Sequence, residues 1–213
     1  MLVCEDATWG NFYNSIGPHC ETVGTDCKSD EFGDNSTHMC VPLCPESMNY
    51  FGDPKTKLCT DRCPVLDSNF TNTTANITLP AGRLFADYKT RLCVYTCPAD
   101  FGLQGTFGDN TTNTCVQRCP NASYGDAHTI NRFCVETCTS GAFADDSTML
   151  CVDVCPASPP TFGYEGNWTC VAHCPDGLWA DSTTRRCETA CNPQFRLSTS
   201  IADDNQCVSV CPS

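Results

Sequence analysis

Basic residues are scarce in this chain. Twelve lysines and arginines stand against 25 aspartates and glutamates, a formal net charge of −13 over 213 residues. Binding a polyphosphate backbone needs a basic surface, so a nucleic-acid partner is excluded. Large apolar residues are also few. Leucine, isoleucine, valine and phenylalanine number 38 (11, 4, 12 and 11), about 18% of the chain. With that charge, so little apolar content would leave an uncross-linked chain disordered, and one large core cannot form. No apolar run approaches the ~20 residues that cross a bilayer, so no direct membrane insertion is expected within this segment. The start, Met1 to Asp6, lacks the basic and apolar regions of a signal peptide. The sequence is therefore expected to be a mature or truncated portion of a longer precursor.

Signatures of chemistry are missing too. There is no G-x-S-x-G, no H-E-x-x-H and no phosphate-cradling glycine loop, so no enzyme is expected. The four histidines, His19, His38, His128 and His173, share no ligand spacing and read as exposed loop residues. No metal and no cofactor are expected, only N-linked glycans.

What the chain has is cysteine. Its 21 cysteines reach the density of a disulfide scaffold, and disulfides persist in oxidising compartments. Seven Asn-x-Ser/Thr sequons, at Asn35, Asn69, Asn72, Asn76, Asn110, Asn121 and Asn167, mark surface positions open to glycosylation in a secretory pathway. Together they place the protein outside the cell or on its surface.

The cysteines recur in order. Nine pairs are separated by three residues: 40/44, 59/63, 93/97, 115/119, 134/138, 151/155, 170/174, 187/191 and 207/211. Valine follows the first cysteine in seven, and proline follows the second in seven. Between pairs comes an aromatic, a small residue and aspartate, then threonine three positions on, as in Phe51-Gly52-Asp53…Thr56, Phe107-Gly108-Asp109…Thr112 and Trp179-Ala180-Asp181…Thr184. This tandem C-V-x-x-C-P…F-G/A-D-x-x-T unit predicts a small, mostly β or irregular, disulfide-rich fold: an elongated rod of stacked hairpins with little or no helix. The aromatic should pack on a neighbouring disulfide or valine. The small residue should admit another backbone, and the aspartate should accept N–H bonds from residues two or three ahead. Threonine through C-V-x-x-C reads as a strand ended by proline. At about 10 Å per unit, nine units would span on the order of 90 Å.

Residues 40–213 carry the regular array, with a glycan-bearing insertion at 65–84 read as a surface loop; residues 1–39 are an irregular end or divergent repeats. Phe162-Gly163-Tyr164 lacks the aspartate, and Thr139 and Asn192 replace the proline. Calcium at the repeated aspartates, with doublets at Asp145-Asp146 and Asp203-Asp204, is weaker than turn capping, since one carboxylate per unit supplies too few oxygens. Zinc is excluded at the C-x-x-x-C pairs, which do not cluster four ligands.

On a strand, the cysteines of one pair lie about 13 Å apart and cannot bond to each other. The simplest ladder joins the second cysteine of one pair to the first of the next: Cys44–Cys59, Cys63–Cys93, Cys97–Cys115, Cys119–Cys134, Cys138–Cys151, Cys155–Cys170, Cys174–Cys187 and Cys191–Cys207, with Cys27–Cys40 and Cys4–Cys20 at the start. Cys211 is left unpaired or bonded to a following segment. An interleaved pattern, first to third and second to fourth, is the rival.

The run C-V-x-x-C-P…C-V-x-x-C over residues 40–213 resembles the cysteine-rich modules of the furin-like and growth-factor-receptor group. With F-G-D-x-x-T in almost every unit it is similar to tandem-repeat surface proteins of protists. In the single-disulfide modules of that group the second cysteine bonds the first of the next pair, which the resemblance implies for the ladder here. The expected function is an extracellular structural or adhesive glycoprotein, a protomer of a coat or filament whose partners are copies of itself or other surface glycoproteins. The alternative is the ectodomain of a receptor or a ligand-binding module.

Overall fold

A computed structural model describes residues 8–11, 19–22, 27–72, 77–79, 81–99, 105–120, 122–129, 131–139, 141–191, 196–198 and 205–208. The chain divides into two compact units, Met1–Gln117 and Arg118–Ser213. Both are built from one hairpin, repeated. In the first unit Phe107–Asp109 enters and Thr114–Val116 returns, with Phe107 opposite Val116, Gly108 opposite Cys115 and Asp109 opposite Thr114. The same antiparallel register joins Phe32–Asp34 to Met39–Val41 and Phe85–Asp87 to Leu92–Val94. In the second unit it joins Phe143–Asp145 to Leu150–Val152, Phe162–Tyr164 to Thr169–Val171, and Trp179–Asp181 to Arg186–Glu188. The chain is thus a small, disulfide-rich β fold made of stacked tandem hairpins, and a 3-10 turn at Glu46–Met48 is its helical element among the described residues.

The turn explains why aspartate and threonine recur. In most hairpins four residues connect the strands, and the last adopts a left-handed conformation, as at Lys57, Arg91, Asn113, Met149 and Arg185 (φ 57–58°). Its N–H donates to the aspartate carbonyl four positions earlier, 2.8–2.9 Å in these five turns. The aspartate side chain closes the remainder. In one turn Thr111 N–H donates to Asp109 Oδ1 (2.9 Å) and the Thr112 hydroxyl to Oδ2 (2.7 Å). Threonine is therefore a loop residue that braces the turn. The strand read through C-V-x-x-C is shorter than its sequence suggests: it stops after the valine, and the chain bends before the second cysteine. That bend carries the second cysteine out of the sheet and into the next loop.

Among the described residues nine disulfides are present: Cys27–Cys40, Cys44–Cys59, Cys63–Cys93 and Cys97–Cys115 in the first unit, and Cys119–Cys134, Cys138–Cys151, Cys155–Cys170, Cys174–Cys187 and Cys191–Cys207 in the second. Each closes a loop around the entering strand and turn of one repeat, and the Cys63–Cys93 loop also takes in the insertion. A closed loop of about 15 residues is worth roughly 3 kcal/mol in the chain-entropy account. Cys4, the side chain of Cys20 and Cys211 lie outside the described residues.

Within each unit, successive hairpins meet through one parallel bridge each. Ala86 pairs with Thr114, Gly125 with Leu150 and Gly163 with Arg186. The bond is constant: the N–H of the small residue donates to the carbonyl of the left-handed turn residue in the next hairpin. Examples are Gly52 to Arg91 (2.7 Å), Ala86 to Asn113 (2.8 Å) and Gly163 to Arg185 (2.8 Å). The small residue admits an aromatic ring, not a second backbone. A Cβ built on Gly108 would stand 2.8 Å from the Phe85 ring, and one on Gly163 would stand 2.6 Å from Phe143. Phe85 and Phe143 are completely buried. In place of a core, each unit holds a file of single rings, each seated on the next hairpin's glycine or alanine.

The insertion at 65–84 is a hairpin of its own. Val65–Leu66 pairs with Gly82–Arg83, and Phe70–Asn72 with Ile77–Leu79. Leu66 and Leu84 are buried in one cluster with Phe51, Ala86, Cys63 and Cys93. Two leucines at its base thus anchor what reads in sequence as a surface loop.

Near the N-terminus, Thr8–Asn11 pairs antiparallel with His19–Thr22, and Gly10 bridges Met39 in parallel. This is the topology of the later repeats.

Candidate functional site

Several sequons lie on the turns of the hairpins. Asn35 and Asn110 directly follow the turn aspartates Asp34 and Asp109. At both positions the sequon threonine is the residue that braces the turn: the Thr37 hydroxyl donates to Asp34 Oδ2 (2.8 Å), as Thr112 does to Asp109. The motif D-x-x-T becomes a sequon whenever its first variable position is asparagine. Asn167 occupies a later turn position, where its Oδ1 accepts from the Thr169 hydroxyl (2.7 Å). All three asparagines are exposed. Asn69, in the insertion, is exposed and accepts from Ala81 N–H through its side chain (2.8 Å). Asn76, Asn121 and the side chain of Asn72 lie outside the described residues.

Burial of Asp109 and Asp126 would raise their pKa values, but hydrogen bonds outweigh it. Asp109 is held below the usual carboxylate range by Thr112 and Thr111, and Asp126 by Thr139 and His128. Thr139 is the residue that replaces proline after Cys138; its hydroxyl donates to Asp126 Oδ2. Asp145 closes its own turn through Ser147 and Thr148, while Asp146 accepts from the Tyr124 hydroxyl (2.5 Å). That doublet is thus engaged in turn and hairpin contacts. Asp203 and Asp204 lie outside the described residues.

His128 is not a free loop residue. Its Nδ1 lies 3.0 Å from Asp126 Oδ1 and its Nε2 lies 2.9 Å from Asp153 Oδ1, so it spans two successive hairpins. Burial opposes its charge, yet the bonds to Asp126 and Asp153 prevail and raise its pKa. Tyr124, whose hydroxyl meets Asp146 across the same step, is pushed up to about 12.

The left-handed turn residue carries a second role that composition and spacing do not reveal. Its side chain reaches back over the preceding hairpin's aromatic ring. Lys57 Nζ lies 4.5 Å from the Phe32 ring centre, the Arg91 guanidinium 4.4 Å from Phe51 and the Arg185 guanidinium 4.7 Å from Phe162; the Trp168 ring lies 5.5 Å from that of Phe143. Arg91 also donates to the carbonyls of Pro45 (3.0 Å) and Tyr50 (2.6 Å), and is buried. The signal in sequence is the second position before the first cysteine of each pair, where long basic or aromatic residues recur at a site whose backbone favours glycine.

An open cleft of about 410 Å³ lies in the first unit. Buried Phe51, Cys63 and Ala86 contribute to its lining, as do Asn49, Asp61, Arg62 and Tyr88 on exposed positions, and the turn 111–114 closes the outline. The Tyr88 ring stands edge-on to Phe51, with centres 5.1 Å apart and planes at 86°. Arg83 fixes the adjoining turn by donating to Asn113 Oδ1. Such a cleft, with an aromatic wall and exposed polar side chains, suits reversible binding of a polar ligand.

Among the described residues no helix is long and apolar enough to cross a membrane, and no group of three or more His, Cys, Asp or Glu could hold a metal ion. The disulfide-rich repeat architecture is compatible with an extracellular protein. No family model, curated protein or solved structure matches the chain.

Proposed function

We propose that this chain is an extracellular structural or adhesive glycoprotein, a protomer of a cell-surface coat or filament, as the resemblance to furin-like and protist surface repeats implies. The observation that carries the reading is the division of the hairpin into two sets of positions. Disulfides, rings, the small residue and the last turn residue are consumed between neighbours, while earlier turn positions present exposed asparagines at Asn35, Asn110 and Asn167. A fold that spends its disulfides and buried rings on self-stacking is suited to spacing and display. Its acidic surface favours solubility and repulsion between copies. Copies of itself or other surface glycoproteins are the proposed partners. The cleft beside Tyr88 favours a second reading, a ligand-binding ectodomain.

Electron microscopy of native material tests the first reading. Lateral or end-to-end assemblies are expected, with glycans on the turn asparagines by glycopeptide mass mapping. Isolated short particles without glycans would overturn it.

A further inference from the structure

We propose that the cleft beside Tyr88 is a carbohydrate subsite for one or two residues of a neutral, hydroxyl-rich oligosaccharide; the biological source of that sugar rests on the surface-glycoprotein reading above. Three features carry the assignment. First, Tyr88 is 54% exposed, yet its ring is oriented by Phe51 on its edge and has the Arg91 guanidinium 6.0 Å from its centre. An exposed ring that is already positioned loses little freedom when it takes a flat partner. A pyranose offers such a partner in its apolar C–H face.

Second, the polar groups around the ring are free to bind. Among the described residues, the side chains of Asn49, Asp61 and Arg62 make no hydrogen bond or ion pair, and the Tyr88 hydroxyl has none. They supply an amide, a carboxylate, a guanidinium and a phenol, the mixture of donors and acceptors that adjacent sugar hydroxyls use. The charged residues that line the cleft are one carboxylate, Asp61, and one guanidinium, Arg62, a balanced pair in a chain of net charge −13. That balance disfavours a polyanion and gives no advantage to a cation. A peptide strand is also disfavoured: Ala86 N–H and Asn113 carbonyl, which line the cleft, already bond to each other (2.8 Å).

Third, size and place fit. The volume of about 410 Å³ falls at the lower end of the range typical of small-ligand sites, about 300–1,000 Å³. Thr111 and Thr112, which belong to the Asn110 sequon, line the cleft. The sugar is thus either the inner part of the chain's own Asn110 glycan or a residue presented by another molecule.

The test uses the full chain, secreted from eukaryotic cells, and saturation-transfer NMR with N,N′-diacetylchitobiose, mannobiose and sialyllactose as probes. Transfer to ring protons of a neutral probe is expected, with a dissociation constant on the order of 1 mM for so open a site and weaker transfer to the anionic sialyllactose. Tyr88→Ala should weaken binding at least tenfold and Tyr88→Phe should retain it, with melting of both variants unchanged because the ring is exposed. Asp61→Asn combined with Arg62→Ala should weaken it without the loss of transfer through the ring face. If the Asn110 glycan fills the cleft, the free probes bind only to Asn110→Gln; if the sugar comes from another molecule, they bind with Asn110 glycosylated. Absence of transfer from Asn110→Gln to either neutral probe, or transfer undiminished in Tyr88→Ala, overturns the proposal. Glycopeptide mapping of the same material reports separately on the surface-glycoprotein reading: bare sequons with sugar binding intact would remove that reading and leave the subsite.

Discussion

Gly108→Ala isolates the contact that sets one hairpin upon the next. The new Cβ would lie 2.8 Å from Phe85 Cζ and 2.9 Å from both Cε atoms. Carbon atoms in van der Waals contact sit about 3.5–4.0 Å apart, so the overlap is about 0.6–1.2 Å against three ring atoms at once. Phe85 is completely buried and has no open side into which it can swing. Overpacking of this kind costs about 1–3 kcal/mol. For a unit of 117 residues, an unfolding entropy near 2.1 cal/mol/K per residue converts 1 kcal/mol to about 4 °C, so a fall of about 4–12 °C is expected. Circular dichroism melting under non-reducing conditions reads it. Phe85→Leu shortens the ring to a branched chain and should relieve the clash, so the double variant should melt above the sum of the single losses. Unchanged melting in Gly108→Ala, or strict additivity in the pair, would refute ring-on-glycine seating as the basis of the step.

The remaining predictions address the turn, the cap and the polar step. Asp109→Ala removes acceptors for Thr111 N–H and the Thr112 hydroxyl, and should cost about 1–3 kcal/mol in the first unit, measured by chemical denaturation; full retention of stability would show the cap to be idle. Arg91→Ala leaves the Tyr50 carbonyl without its Arg91 donor, leaves the Pro45 carbonyl with the Tyr50 N–H alone and uncovers Phe51, for about 2–4 kcal/mol. Arg91→Gly should be milder by about 1 kcal/mol because glycine accepts φ near 58° without strain; the reverse order would refute the argument. For His128 the folded pKa lies above its unfolded value near 6.5, so the clamp's contribution is full below that pH and is lost as pH rises through the folded pKa. Melting of the second unit should therefore fall from pH 5.5 to 8, and His128→Gln should flatten that part of the profile; a wild-type profile already flat there would be the contrary result.

Fold class and repeat were legible because the unit is short and its chemistry local. Phe-Gly/Ala-Asp marks the entering strand, and the aspartate's preference for nearby N–H groups marks the turn, with no knowledge of distant residues. Threonine's place was not legible, because its β propensity and its value as a hydroxyl donor to Asp Oδ2 point to different positions, and here the hydroxyl wins. The insertion reads as loop because its sequons dominate it, yet Leu66 and Leu84 bury its base. The left-handed capping residue stayed hidden for a different reason. Lys57, Arg91 and Trp168 differ in chemistry and share only a position, and that position acquires meaning once the preceding ring is known to lie beneath it. The bond from His128 to Asp153 joins residues 25 positions apart and follows no repeat spacing. The cleft gathers side chains from 49 to 114, and the register that brings them together is set by the bridges Gly52–Leu92 and Ala86–Thr114.

The two kinds of link in this fold divide the work between them. Each disulfide closes a loop around one hairpin's entering strand, so sulfur stiffens the repeat without itself orienting the next one. Orientation between repeats falls to a backbone bond, a ring seated on a small residue and, in several steps, a long side chain over that ring. Those contacts are noncovalent and chemically various: Arg91 covers Phe51, Trp168 covers Phe143, and His128 and Tyr124 bridge to Asp153 and Asp146. Variation at one position therefore tunes each step separately while the sulfur frame and the turns stay constant. A chain with too few apolar residues for a common core gains a repeat in which stability is local, the geometry of each joint is set by one or two side chains, and the turns remain free to carry sugar.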